Sequence, residues 1–233
     1  MADLILNGMG GVRPINSETY TVQTYNFLRN AILKRELKEG EVYSQDQVSA
    51  MLNISRTPVR EALLALQKEG YIRFLRGRGF EVVPYDETDV KNISEMRLIV
   101  EKAAAALAAQ RIGEEQISAL VKNIEAQQKC VLREEAFDIQ EFLQLDDLFH
   151  QQIIAATGND RLAKVIADMR NQWVRTGYAI LQYGENRLDI FDEHRRIFEA
   201  VAAHDACGAE LAMAAHMDNT QARRKAEKNN AEG

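Results

Sequence analysis

Long apolar runs are missing from this chain of 233 residues. None approaches the roughly 18–20 consecutive apolar residues that a membrane span needs, so no contact with a membrane is expected. The start, Met1 to Ser17, has no basic stretch followed by an apolar one, so it does not read as a secretory signal. Its Gly8, Gly10, Gly11 and Pro14 suggest a mobile arm over residues 1–17. Cysteine is scarce: Cys130 and Cys207 form no paired framework and no C-x-x-C motif. They read as free, reduced thiols, which fits a cytoplasmic protein. An excess of basic charge is also lacking. The net charge is −6, which by itself argues weakly against a nucleic-acid partner.

The distribution of charge reverses that argument. Residues 1–85 hold 11 Lys and Arg against 9 Asp and Glu, while the remainder holds 18 against 26. Within Asn53–Phe80 stand Arg56, Arg60, Lys68, Arg73, Arg76 and Arg78, opposed only by Glu61 and Glu69. A basic patch on an acidic protein is what a DNA-binding module joined to a different kind of domain would show.

Periodicity divides the chain at the same place. Apolar positions Tyr25, Leu28, Ile32 and Leu33 predict a first helix from about Glu18 to Leu37. A second runs from about Ser44, a candidate N-cap, to Leu52. A third runs from about Ser55 to Glu69, with Pro58 in its first turn and Gly70 as its stop. Beyond Gly70 the pattern becomes strand, turn, strand: Tyr71 to Leu75, then Arg76-Gly77-Arg78-Gly79, then Phe80 to Val83. Residues 18–85 therefore read as a winged helix-turn-helix of three helices and a β-hairpin wing. Pro84-Tyr85-Asp86 marks the junction. Residues 86–226 carry no strand pattern and read as an antiparallel all-α bundle of six helices, roughly Thr88–Arg111, Glu114–Leu132, Asp138–Ala156, Asp160–Gln182, Arg187–Ala203 and Asp205–Lys225. The polar tail, 227–233, is expected to be frayed. The predicted fold class is thus mainly α.

The third helix presents Ser55, Arg56, Thr57 and Arg60 near its N-terminus. In helix-turn-helix proteins this is the end that enters the major groove. Arg can bridge guanine O6 and N7, and hydroxyls and helix N–H groups can take phosphates. Arg76, Gly77 and Arg78 form a turn too small and basic to build core, suited to a phosphate backbone or a minor groove. The stretch Ile54-Ser55-Arg56-Thr57-Pro58-Val59-Arg60-Glu61-Ala62-Leu63, with Leu66, Glu69-Gly70 and Gly77-Arg78-Gly79, resembles the winged helix of GntR-family regulators over about Thr24 to Val83. That resemblance implies DNA contacts by Arg56, Thr57, Arg60 and Gly77. In one respect the chain departs from it: some members carry a DNA-contacting Arg early in the second helix, where this chain has Asp46.

The helical region places ionisable groups on apolar stripes. Asp146 and His150, four residues apart, lie on the stripe Phe142, Leu145, Phe149, Ile153. His194 lies on the stripe Ile190, Ile197, Val201, and His216 follows Ala212 and Met213 on the last helix. The remaining histidine, His204, falls at a helix junction. A buried carboxylate beside imidazoles is costly unless paired or bound to metal. Each histidine alone reads first as an ordinary core or surface residue, but one Asp and three His together suit a divalent ion such as Zn²⁺, Ni²⁺ or Mn²⁺. Arg97 falls on the stripe Ile93, Val100, Ala104, Leu107. It could clamp an organic acid bidentately or pair with Glu101 one turn on. Asn219, one turn beyond His216, could face the same pocket.

Arg97-Leu98-Ile99-Val100-Glu101, Asp146-x-x-Phe149-His150, Gly158-Asn159, Glu193-His194 and His216 resemble the FCD domain of the FadR subfamily, with six helices placing the chain nearer its VanR-type members. The resemblance implies a metal held by Asp146, His150, His194 and His216. It also implies a small carboxylate effector: a hydroxy acid, a sugar acid or a dicarboxylate. The expected protein is a homodimeric transcription regulator, a repressor of operator DNA, and not an enzyme. Two alternatives are a metal-dependent enzyme domain fused to a DNA-binding module and a bare, metal-free dimerisation module. The first is disfavoured because its only spare base, Glu193, is rotated about 100° from His194.

Overall fold

The computed structural model describes residues 19–84, 87–133, 137–167, 181 and 186–232. The arm expected over residues 1–17 lies outside them. The chain separates into two compact units, 19–68 with 72–82, and the remainder.

In the first unit, α1 (Tyr20–Leu33) starts where the Thr19 hydroxyl accepts from the Val22 amide. It ends four residues earlier than its periodicity suggests, because Arg35 takes a left-handed φ of 59° and breaks the helical path. A two-residue strand, β1 (Val42–Tyr43), follows. Next comes α2 (Gln45–Leu52), opened by a capping box in which Ser44 accepts from the first turn and Gln47 reaches back to the Ser44 amide. Asn53, at φ 51°, turns the chain into α3 (Arg56–Lys68). The apolar face of α3, Val59, Ala62, Leu63 and Leu66, is wholly buried, together with Leu28 and Ile32 of α1.

The hairpin is β2 (Ile72–Leu75) and β3 (Gly79–Val82), paired antiparallel with Phe74 opposite Phe80. Sheet order is β1-β3-β2. The third strand was not expected: two residues are too few to show alternation. It explains Gly79, whose φ is +115° and where an added Cβ would lie 2.1 Å from the Tyr43 carbonyl oxygen. Only glycine lets β3 close on β1. Gly77, at φ +71°, faces open space, so its glycine serves the turn and leaves its outer side accessible.

The second unit is built from α4 (Glu87–Arg111), α5 (Glu114–Val131), α6 (Ile139–Ala156), α7 (residues 160–167), α8 (Arg187–Ala202) and α9 (Ala206–Glu232). These follow the six helices read from the sequence. The remainder of the fourth, beyond 167, lies outside the described residues apart from Leu181, which is helical. The expected frayed tail is corrected: α9 continues to Glu232, because Arg223 to Glu232 contains good helix formers and no glycine or proline. Ala105, Ala108 and Ala109 give α4 a flat face against α9, whose Ala209, Met213 and Met217 complete a core with Phe149, Ile153, Ile197 and Val201. No helix among the described residues is long and apolar enough to cross a membrane.

Candidate functional sites

Three helices of the second unit converge on one point. α6 carries His150, α8 carries His194 and α9 carries His216. All three are buried, and each offers a ring nitrogen within 4.8 Å of the others. Ring centroids stand 5.3 Å apart for His150 and His194, 5.3 Å for His150 and His216, and 4.7 Å for His194 and His216. Asp146 joins from one turn before His150, with Oδ1 3.4 Å from His194 Nε2. The four residues expected to share a site are therefore neighbours. His204, exposed at the α8–α9 junction, stays apart and turns its Nδ1 to the Ala109 carbonyl oxygen.

Two of the imidazoles are held from outside by a hydrogen bond at Nδ1, and the third has a carboxylate beside its Nδ1. His194 Nδ1 meets Gln127 Oε1 at 2.8 Å, and Gln127 donates in turn to Asn123, which donates to the Leu145 carbonyl. His216 Nδ1 meets Glu193 Oε2 at 2.8 Å. Glu193 also accepts from Asn219 at 2.7 Å and from both Nη groups of Arg223, at 3.0 and 2.6 Å. His150 Nδ1 lies 2.6 Å from Glu101 Oε2, close but poorly aligned for a hydrogen bond, and Glu101 is clasped by Arg97. The consequence lies at the centre. The Nε2 atoms of His150, His194 and His216 are buried and have no hydrogen-bond partner among the described residues. Three imidazoles with bare inner nitrogens, each with an acceptor group beside its outer nitrogen, are what a metal centre requires, since ligating histidines characteristically carry an acceptor on the second nitrogen. The donor set fits a borderline divalent ion.

Electrostatics suit that arrangement at two of the three imidazoles: burial would lower His150 as well, but the neighbouring Glu101 carboxylate raises it, and burial raises Asp146. Burial, reinforced by the neighbouring His216 and His150, holds His194 well below the usual imidazole range, so it stays neutral with a lone pair to give. Burial also lowers His216, against the pull of Glu193. Burial alone would raise Glu101, but the adjacent Arg97 and His150 hold it well below the usual carboxylate range. Burial likewise opposes ionisation of Glu193, and the bonds from His216, Arg223 and Asn219 overcome it, bringing its pKa to about 2.

One sequence reading changes. Asn219 does not join the pocket beside His150. It donates to Glu193, because one turn beyond His216 on α9 lies over α8, and it borders a separate open groove with Asp189, Asp192 and Arg196. Glu193 is turned away from the inner nitrogens, as its helical rotation requires, yet it reaches the centre from behind by holding His216. Arg97 makes the intrahelical pair with Glu101, both side chains being buried. It also borders a chamber of about 470 Å³ that reaches His150 and is lined by the apolar Leu148, Ile154 and Ile166 together with the polar Asp147, Gln151 and Gln152.

The expected DNA-reading residues are arranged outward on the first unit. Ser55, Arg56, Thr57 and Arg60 are exposed on the face of α3 opposite its buried stripe. Arg76, Gly77 and Arg78 are exposed at the tip of the hairpin. Arg60, Arg76 and Arg78 form no ion pair among the described residues. Arg56 does: its Nε lies 2.9 Å from Asp46 Oδ1 at the start of α2.

Comparison with known proteins gives the following. Residues 21–82 match the model of the bacterial regulatory proteins of the gntR family, and residues 92–219 match the FCD domain. The chain is 30% identical over 205 residues to the HTH-type transcriptional repressor RspR of Escherichia coli (strain K12), covering 88% of this chain and 86% of that protein. It is 27% identical over 201 residues to the HTH-type transcriptional regulator YdhC of Bacillus subtilis (strain 168), covering 86% and 88%. Among solved structures, Escherichia coli McbR/YncC superposes with a TM-score of 0.68 at 23% identity, over 91% of this chain and all of that one. A GntR regulator from Rhodococcus sp. RHA1 gives 0.68 at 18% identity, over 88% of this chain and 97% of that one. Both share its fold.

Proposed function

The chain belongs to the GntR family, in the group with an FCD domain, and from that premise we propose that it is a metal-loaded, acid-sensing repressor. Its domains and relatives are those of DNA-binding transcription regulators, not of enzymes. The finer reading is this. Arg56, Thr57 and Arg60, with Ser55 at the helix start, read the major groove. Arg76, Gly77 and Arg78 track the neighbouring phosphates. A homodimer in the cytoplasm presents two such units to a pseudo-palindromic operator.

Asp146, His150, His194 and His216 hold a divalent ion, Zn²⁺, Ni²⁺ or Mn²⁺. When bound, the ion supplies a Lewis-acidic centre for an oxygen ligand. The effector is a small organic acid whose carboxylate reaches toward that centre and Arg97. The apolar wall of Leu148, Ile154 and Ile166 favours a monocarboxylate with a short aliphatic or aromatic body over a sugar acid. Effector binding then alters operator affinity through a coupling typically of about 1–3 kcal/mol.

The observation that carries this reading is the set of three buried Nε2 atoms without hydrogen-bond partners. The experiment is binding of the protein to its own promoter fragment by fluorescence anisotropy, metal-stripped and then loaded with each ion, against a panel of monocarboxylates. The expected result is salt-sensitive binding that one acid weakens only in the loaded form. Equal response of stripped and loaded protein to every acid would contradict it.

A further inference from the structure

We propose that Asp46 is a specificity-determining residue: it holds Arg56 for base reading and keeps that arginine off the phosphate backbone. The inference rests on the proposed role of Arg56 in reading DNA. Asp46 is the second residue of α2 and Arg56 the first of α3. Their side chains meet at 2.9 Å while 61% and 72% exposed. Beside Asp46, Gln45 donates from Nε2 to the Arg56 carbonyl oxygen at 3.1 Å. The start of α2 therefore grips the start of the recognition helix twice, by backbone and by side chain.

Folding does not account for this contact. An ion pair so exposed contributes little to stability. An acid in the first turn of α2 is favourable there without any partner on α3. What the contact does affect is the guanidinium. Its five N–H donors lie in one plane. With Nε in an ion pair beside the Asp46 carboxylate, the two Nη groups make no ion pair or hydrogen bond among the described residues, and such a fork suits guanine O6 and N7. An unrestrained arginine at a groove edge has two competing partners, the base and the phosphate, and only the base carries sequence information. A carboxylate beside the guanidinium repels phosphate and reduces the side-chain freedom lost on docking. Asp46 therefore exchanges affinity for all DNA for discrimination among sequences.

The test uses full-length wild type, Asp46→Asn, Asp46→Glu and Arg56→Ala. Each is put through selection from a duplex pool with a randomised centre, and titrated on one fixed duplex of arbitrary sequence across a salt series. Asp46→Asn is expected to bind the arbitrary duplex several-fold more tightly, with a log–log salt slope steeper by about one. Its preference at one position per half-site should fall about tenfold, with an unchanged thermal midpoint. Asp46→Glu should retain most of the preference. If Arg56→Ala alters the selected motif while Asp46→Asn keeps both motif and salt slope, the inference is overturned and the role of Arg56 stands. If Arg56→Ala leaves the motif intact, the role of Arg56 fails and the inference falls with it.

Discussion

The two units of this protein use the same chemical groups in opposite ways. The first buries an apolar stripe and turns its arginines outward: Val59, Leu63 and Leu66 of α3 are sealed, while Arg56 and Arg60 stand exposed on the same helix. The second turns charge inward. Arg97, Glu101, Asp146, His150, Glu193, His194 and His216 are all buried. A surface that must meet a polyanion gains from keeping its cations solvated until binding. An interior that buries charged side chains has to compensate each charge in place. The helical unit does so in three spokes: His150 backed by Glu101 and Arg97, His194 by Gln127 and Asn123, and His216 by Glu193 with Arg223 and Asn219. Two spokes end on an arginine and the third on a neutral amide chain, so neither carboxylate is left without a counter-charge.

That contrast can be broken from either side. The largest effect is expected inside the helical unit. Glu101→Ala takes a buried carboxylate from between Arg97 and His150, and should cost about 3–5 kcal/mol of stability. Urea unfolding followed by tryptophan fluorescence checks it, and Arg97→Met with Glu101→Leu in the same chain should recover much of the loss. Next is the corresponding break in the first unit. Gly79→Ala drives a Cβ into the Tyr43 carbonyl at a left-handed φ, and should cost about 2–4 kcal/mol. Operator affinity measured by anisotropy should fall at least about tenfold, while the metal content of the purified protein stays at the wild-type level.

A gentler cut sharpens the comparison. Gln127→Leu removes the acceptor behind His194 without adding or removing charge. Affinity for metal, measured by competition with a chelator, should weaken about 10–100-fold, with DNA binding of the stripped protein unchanged. The smallest effect is expected at the wing. Arg78→Ala should lower affinity for every sequence alike and reduce the log–log salt slope by about 0.9, with no change in the selected motif.

The units also differ in how far the sequence exposes them. The DNA-facing unit was legible almost throughout, because its signals are local: a cap at Ser44, a stop at Gly70, a basic turn at 76–79. What escaped was β1, whose two residues are defined only by their partners on β3. The convergence of the four residues was legible because Asp146 and His150 share one helical face and because His194 and His216 sit on or beside apolar stripes. The groups behind the histidines were not. Gln127 and Asn123 left a usable signal, two amides four residues apart on the stripe that also carries Leu120 and Val131. The rotation of Glu193 away from the site follows from its place beside His194 on α8, but its partner His216 belongs to another helix, which rotation within α8 does not reveal. Arg223 lay close to the expected end of α9, and the continuation of that helix to Glu232 shows that it is well within it.

The most direct test of the metal centre is the metal content of the purified protein by mass spectrometry, wild type beside His150→Ala. The convergence of three imidazoles with bare inner nitrogens predicts about one divalent ion per chain in the wild type and loss of that ion in the variant, with promoter binding by the stripped forms equal. A wild type that stays metal-free after incubation with Zn²⁺, Ni²⁺ and Mn²⁺ would contradict it.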